Sequence, residues 1–515
     1  MPQAAPERQT TDTATPLATP WHALPLIGGG FLLLAAFLLQ ALPLWLLRVD
    51  QGRAWFDEAF FHSPVIRQFL DQWPAPVLAD YRSATTPGFH LVMAWLARSV
   101  GADPHVLRPI AAIFTALMLL MAYAVVMPSR RGSGPGGPWW AALLTLPLAC
   151  SMYVVLPGVW LAPDNLGWLL VLALLFVCLR ALDRGVLGIQ NLLAAAVPAC
   201  VLLFLMVNVR QSHLWAWTML LATAWLTASP IAGSGPAALL SNPRRRSGAL
   251  LVALIAGAPA AYALFEYHSL WGGLVPPRFQ AQHASGINPA APALALSLIG
   301  MYSVFFAAWL RPGLGRLWRE SRPVLVVAAL VGAALALGPA TTYLYEPRSS
   351  GLWNLAKIEQ RLGVSLLGHT SPSILILSTL GAVCLAGWLA RLEPARRWFF
   401  LATLVGFELA QAANANAWQR YQEPLLLVLI AALALAAGDP DDGLDVPRSR
   451  WHQPLNVWRV IGPLALCGVF LMLSVQGISS AGAEARLDSY RRGQQPWPTD
   501  VPPPPGVAPI KPSAR

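Results

Sequence analysis

Lysine is almost missing from this 515-residue chain, occurring only at Lys357 and Lys511. Charge of either sign is scarce: Asp, Glu, Lys and Arg together make up 11%, against 56% hydrophobic residues. So little polar surface cannot cover a soluble globule of this length. Cys150, Cys178, Cys200, Cys384 and Cys467 all fall inside apolar segments and form no C-x-x-C pair. Neither a disulfide framework nor a zinc site is expected, and the cysteines are expected to pack as small core residues. No internal repeat is evident. Residues 1–24 lack the charged-then-apolar order of a cleavable leader, so the apolar run after them is expected to remain as an anchor. The net charge of +11 rests on arginine. These arginines form short clusters between apolar segments rather than one basic tract, which argues against nucleic-acid binding.

What the chain has is hydrophobic length. About thirteen segments can span a bilayer, the first at 25–47, the third at 139–156, the eighth at 291–310, the eleventh at 397–413 and the last at 457–477. An all-α polytopic membrane protein follows. Arginines gather in every second gap: Arg130 and Arg131; Arg180 and Arg184; Arg244, Arg245 and Arg246; Arg311, Arg316, Arg319 and Arg322; Arg391, Arg396 and Arg397; Arg448 and Arg450. The positive-inside rule makes those gaps, and the tail 1–24, cytoplasmic. The transmembrane domain is expected over 25–477, with 48–107 and 344–372 as external loops. An odd span count would put the Pro-rich tail 478–515 outside, where its composition predicts disorder. Preference for Arg over Lys and abundant Ala point to a bacterium, and so to its inner membrane.

Just after the first segment come two adjacent carboxylates, Asp57 and Glu58, at a costly place for charge. His62 follows four residues after Glu58, and Thr85-Thr86-Pro87-Gly88 closes the loop before the next helix. This order, D-E-x-F-x-H and then T-T-P-G-F-H, resembles the first external loop of the dolichyl-phosphate-glucose-dependent α-1,2-glucosyltransferases of N-glycan precursor assembly, members of the GT-C superfamily. Arg210-Gln211-Ser212 with Trp215 gives a second, weaker match to that family's R-Q-T-N-I-x-W. The resemblance is sharp over residues 55–92 and thin elsewhere. It implies a GT-C-like fold and an inverting, polyprenyl-phosphate-sugar-dependent hexosyltransferase working on a glycan or lipid-linked acceptor at the external face, without a metal cofactor.

Carried over residue by residue, the resemblance implies Asp57 as general base, with Glu58 positioning the acceptor or pairing with a cation. Arg suits phosphate because its planar fork gives paired, charge-assisted hydrogen bonds. The candidates are Arg210 with Gln211, Arg420 in the R-Y-x-E-P pattern, and Arg361, beside Arg348 and Lys357 in the late loop. Candidate substrate-binding residues are His62, Thr86, His90, Asp164 and His283. Each has a plainer alternative: interfacial cations commonly snorkel, and Asp164 in L-A-P-D-N could cap a helix. Glu58 and His62, four apart, could share a metal ion, although no second pair completes a set. The family's aspartate-proline is replaced here by Tyr81-Arg82-Ser83-Ala84, and its later G-D-K-x-x-H only by Gly272-Gly273, Pro276-Pro277-Arg278 and His283. These departures leave sugar and acceptor undefined. A lipid-linked-oligosaccharide flippase and an O-antigen-type polymerase are the competing classes. A transporter would place charge inside its spans, whereas here the titratable groups gather at the ends.

Overall fold

The computed structural model describes residues 24–127, 137–230, 239–280, 286–343, 351–437 and 453–479. Expectations for both tails, His283, Arg348, Arg130, Arg131, Arg448 and Arg450 lie outside them. The described residues are helical throughout, with no strand beyond an isolated bridge between Leu366 and Thr370.

The chain enters through α1 (Leu24–Leu46). Its first loop folds as α2 (Arg53–Asp57), a π-turn at Glu58–His62, α3 (Ser63–Asp71) and α4 (Gly88–Val100). The long bundle helices that follow are α5 (Pro104–Val126), the pair α6 (Gly137–Cys150) and α7 (Met152–Val159), α8 (Asp164–Asp183) and α9 (Ile189–Val209). A 3₁₀ turn at Gln211–Ala216 leads into α10 (Trp217–Thr227), then come α11 (Pro243–Trp271) and the short α12 (Pro277–Gln280). The second half has α13 (Ala291–Phe305), α14 (Ala307–Glu320), α15 (Arg322–Leu337), α16 (Trp353–Arg361), α17 (Pro372–Leu389), α18 (Pro394–Ala412), α19 (Glu423–Ala437) and α20 (Gln453–Ser479).

Seven of these helices are long and apolar enough to cross a membrane, or up to nine if each of two bent pairs counts as one span. The protein is therefore membrane-embedded, although the thirteen segments are not thirteen straight spans. The third segment breaks between α6 and α7, which diverge by 65°. There Ser151 accepts a hydrogen bond from the Tyr153 amide, starting a new helix, and donates its hydroxyl to buried Glu423. The eighth breaks between α13 and α14, at 108°. α14 carries Arg311, Arg316, Arg319 and Glu320 and cannot continue an apolar path.

Helices in a bilayer gain little from hydrophobic contrast and pack through small residues. Gly300 on α13 and Gly381 on α17 meet at such a seam, where a Cβ on Gly381 would collide with the Leu296 carbonyl. One span interior departs from the charge-free expectation: Glu408 on α18 is buried, and neither carboxylate oxygen has a hydrogen-bond partner.

Candidate active site at one end of the bundle

Asp57, the last residue of α2, lies beside Arg420, with Oδ2 3.6 Å from Nη1. Both side chains remain about 30% exposed, at 30% and 29%. That contact is an ion pair without hydrogen-bond geometry, so the carboxylate's lone pairs stay available. Arg420 stacks its guanidinium over Trp418 and Tyr421, 4.4 and 4.8 Å from their ring centroids, and donates to the Tyr421 hydroxyl at 2.8 Å. Its Nε is buried without a hydrogen-bond partner among the described residues.

Arg210, just past the end of α9, also lies over the Tyr421 ring, at 4.5 Å. It donates to Asp164 Oδ1 at 2.6 Å. Asp164 is the first residue of α8, whose N-cap position is Pro163, and the hydrogen bond of its side chain goes to Arg210 rather than to a helix amide. Two arginines thus share one phenol ring, each faced by one aspartate. Stacking fixes the planes of both forks and leaves several N–H donors over for an anion.

Glu58 is in a different environment from its neighbour. Both its oxygens accept from Arg108, with Nε–O distances of 3.1 and 3.0 Å and Nη2–Oε1 at 2.7 Å, and Oε2 also accepts from the Leu161 amide at 2.7 Å. Its side chain is 1% exposed. Of the two roles expected for Glu58, the structure supports pairing with a cation. Arg108 reaches Asp50 as well, at 2.7 Å, so the pair ties α5 and the α7–α8 connection to the loop. Glu58 and His62 do not act as a shared ligand pair, because their side chains are committed to different partners: Glu58 to Arg108 and the Leu161 amide, His62 to His90. Among the described residues no group of three or more His, Cys, Asp or Glu side chains could hold a metal ion.

The π-turn sets the site's geometry. In an α-helix residues five apart diverge by about 140°, whereas a π-turn closes on i→i+5 and brings His62 round to the face of Asp57. The His62 ring is buried, with Nδ1 2.9 Å from His90 Nε2. Burial lowers its pKa from the usual 6.5 to about 4, against the opposing pull of Asp57 and Asp164. His90 is buried and also held well below its ordinary range, by burial and by its neighbour His62.

The T-T-P-G motif has a packing role. Thr86 Oγ1 donates to the Val207 carbonyl at 2.7 Å, and a Cβ on Gly88 would lie 2.6 Å from the Asn208 carbonyl oxygen. The motif therefore docks α4 against the last turn of α9, two residues before Arg210. Gln211 supports the same seam, donating to the Ala84 carbonyl at 2.8 Å, so its amide N–H is engaged by the loop. Arg361 is exposed at the end of α16 and makes no ion pair with this set. Lys357 lies over Tyr343, at 5.2 Å.

Sequence reading missed Arg108, Tyr81 and Tyr421. A signal existed for Arg108: an arginine opening a span at the end where arginine is rare needs a partner. Tyr421 stood beside Arg420, but nothing local indicated that Arg210 would share its ring. Comparison with family models, curated proteins and solved structures gives no match to this chain.

Proposed function

We propose that this protein is a membrane glycosyltransferase that moves a sugar from a polyprenyl-phosphate donor to an extracytoplasmic acceptor, with inversion at the anomeric carbon. The supporting observation is the pair Arg210 and Arg420 on the Tyr421 ring with Asp57 beside them. An acceptor hydroxyl attacks the anomeric carbon as the bond from that carbon to the phosphate oxygen breaks. Asp57 takes the hydroxyl proton, and the departing phosphate receives the negative charge between the two guanidinium groups. Arg420 Nε, which has no hydrogen-bond partner among the described residues, is a donor of the kind an oxyanion requires. In this reading Asp164 holds Arg210 in place and Glu58 holds the loop. The membrane is the bacterial inner membrane, the site faces its external side, and the GT-C-like architecture suggested by the loop motif is retained.

The test is reconstitution of the full chain into lipid vesicles with a panel of radiolabelled polyprenyl-phosphate sugars. One donor should deliver label to an acceptor in crude bacterial lipid and glycan extract, and Asp57→Asn should abolish that transfer. Transport of labelled lipid across the bilayer with no new glycosidic bond would replace this reading with a flippase.

A further inference from the structure

Three buried polar side chains behind the ion pairs form a linear chain. His62 Nδ1 lies 2.9 Å from His90 Nε2, His90 Nδ1 lies 2.7 Å from the Tyr81 hydroxyl, and that hydroxyl lies 3.1 Å from the Thr86 carbonyl oxygen. The direction of the chain follows from its last link. A carbonyl can only accept, so the single Tyr81 proton satisfies it by donation. The Tyr81 oxygen then accepts from His90 Nδ1–H, which leaves His90 Nε2 bare. His90 Nε2 therefore accepts from His62 Nδ1–H, and the proton-free atom of His62 is Nε2. Only this arrangement makes all three bonds at once with both rings neutral. Burial keeps them so, His62 at about 4 and His90 well below its ordinary range.

His62 keeps 8% exposure, and the charges that act on its ring are Asp57, Asp164, Arg210 and Arg420. Its Nε2 makes no hydrogen bond within the described chain. A bare imidazole lone pair repels an anionic oxygen and attracts a hydroxyl hydrogen. The cationic forks therefore suit phosphate, and the neutral acceptor atom of His62 suits a hydroxyl.

We infer that His62 Nε2 is a fixed hydroxyl-binding subsite for a neutral polyol, the sugar-bearing acceptor, with His90 and Tyr81 as positioning residues that hold its tautomer. The choice of acceptor as ligand rests on the proposed glycosyltransferase; the tautomer and the preference for a hydroxyl do not. Tyr81 is suited to the role because its ring is wedged between Phe69 and Trp271, at centroid distances of 5.7 and 5.9 Å. Tyr81→Phe removes the hydroxyl and keeps the wedge. His90 then loses the acceptor for Nδ1–H, turns to its Nε2–H form and donates to His62 Nδ1, which converts His62 Nε2 from acceptor to donor.

The experiment is nitrogen NMR of the full chain in lipid nanodiscs with ¹⁵N-labelled histidine, the signals assigned with His62→Gln and His90→Gln. Wild type should show His62 neutral, protonated at Nδ1 and bare at Nε2, and Tyr81→Phe should exchange the two. Methyl α-glucoside should shift the Nε2 signal, and inorganic phosphate should not. A protonated Nε2 in wild type, a shift with phosphate, or no shift with the glucoside would each overturn the subsite. None of these readouts depends on turnover, so an absence of sugar transfer would count against the proposed reaction alone. Where transfer is observed, Tyr81→Phe should raise KM for the acceptor about tenfold or more and leave donor binding unchanged.

Discussion

A carboxylate can take a proton only if its lone pairs are not already committed, and this separates two residues that the sequence presents as a pair. Asp57→Asn keeps shape and polarity but cannot accept a proton at neutral pH. Turnover should fall on the order of a hundred to ten thousand fold, with the melting temperature in detergent unchanged. Normal turnover in this variant would remove Asp57 as base. Glu58→Gln should act on stability instead, because it leaves buried Arg108 with half-exposed Asp50 as its remaining charged partner. Breaking a buried pair from one side typically costs about 3–5 kcal/mol; the surviving Asp50 contact should hold the loss below that, and Glu58→Gln with Arg108→Gln should recover part of it. Arg210→Ala should weaken donor binding severely. Arg210→Lys should retain part of it, since charge survives while the fork over Tyr421 does not. The buried histidines add a pH dependence whose sign follows from their lowered pKa. Between pH 6.5 and about 4 the unfolded chain takes up protons at His62 and His90 that the native state refuses, so stability is lost as pH falls. The melting point should drop from pH 7.5 to pH 5, and less so in the His62→Gln, His90→Gln double variant; equal drops would show that these rings titrate normally.

At the scale of elements, the site is made of helix ends joined across long sequence separations. α2 and its π-turn supply Asp57 and His62, the start of α8 supplies Asp164, the end of α9 Arg210, and a 3₁₀ turn at Gln419–Tyr421, just before α19, supplies Arg420. Their local character was readable: an acidic pair after a span, Arg-Gln at a span boundary, Arg-Tyr before another. Their assembly was not, because it depends on packing between residues such as Thr86 and Val207, which are far apart in the chain. Nor could hydrophobic periodicity reveal the one-residue excess of the π-turn, which brings His62 closer to the face of Asp57. Gly88 shows how such packing constrains a motif. Gly88→Val would push α4 away from the Asn208 carbonyl, and the loop would lose its seat beside Arg210. Stability and donor binding should both decline in that variant; a protein with native melting and native donor affinity would show that the seam is not needed to place Arg210.

Among the described residues of the whole molecule, the helix ends carrying these groups lie together, and Arg180 and Arg396 meet at a different end. Asp57, Arg108, Asp164, Arg210 and Arg420 are linked in one cluster through direct pairs, through the shared Tyr421 ring and through the adjacent carboxylates 57 and 58. At the other end of α8, Asp183 pairs with Arg180 and with Arg396 at the start of α18. A chain that alternates in this way separates chemistry from orientation signals, since Lys and Arg flanking the spans decide which end stays in the cytoplasm. The breaks at Ser151 and Phe306 change the number of straight spans without changing which ends meet. The topology can therefore be tested apart from any activity. A reporter active only outside the inner membrane, fused after Arg82, should give signal, because that position lies in the loop carrying Asp57. The same reporter fused after Ser241, just before the arginines that open α11, should be silent. Signal from the second fusion and silence from the first would place the Asp57–Arg420 cluster on the cytoplasmic side, where an extracytoplasmic acceptor could not reach it.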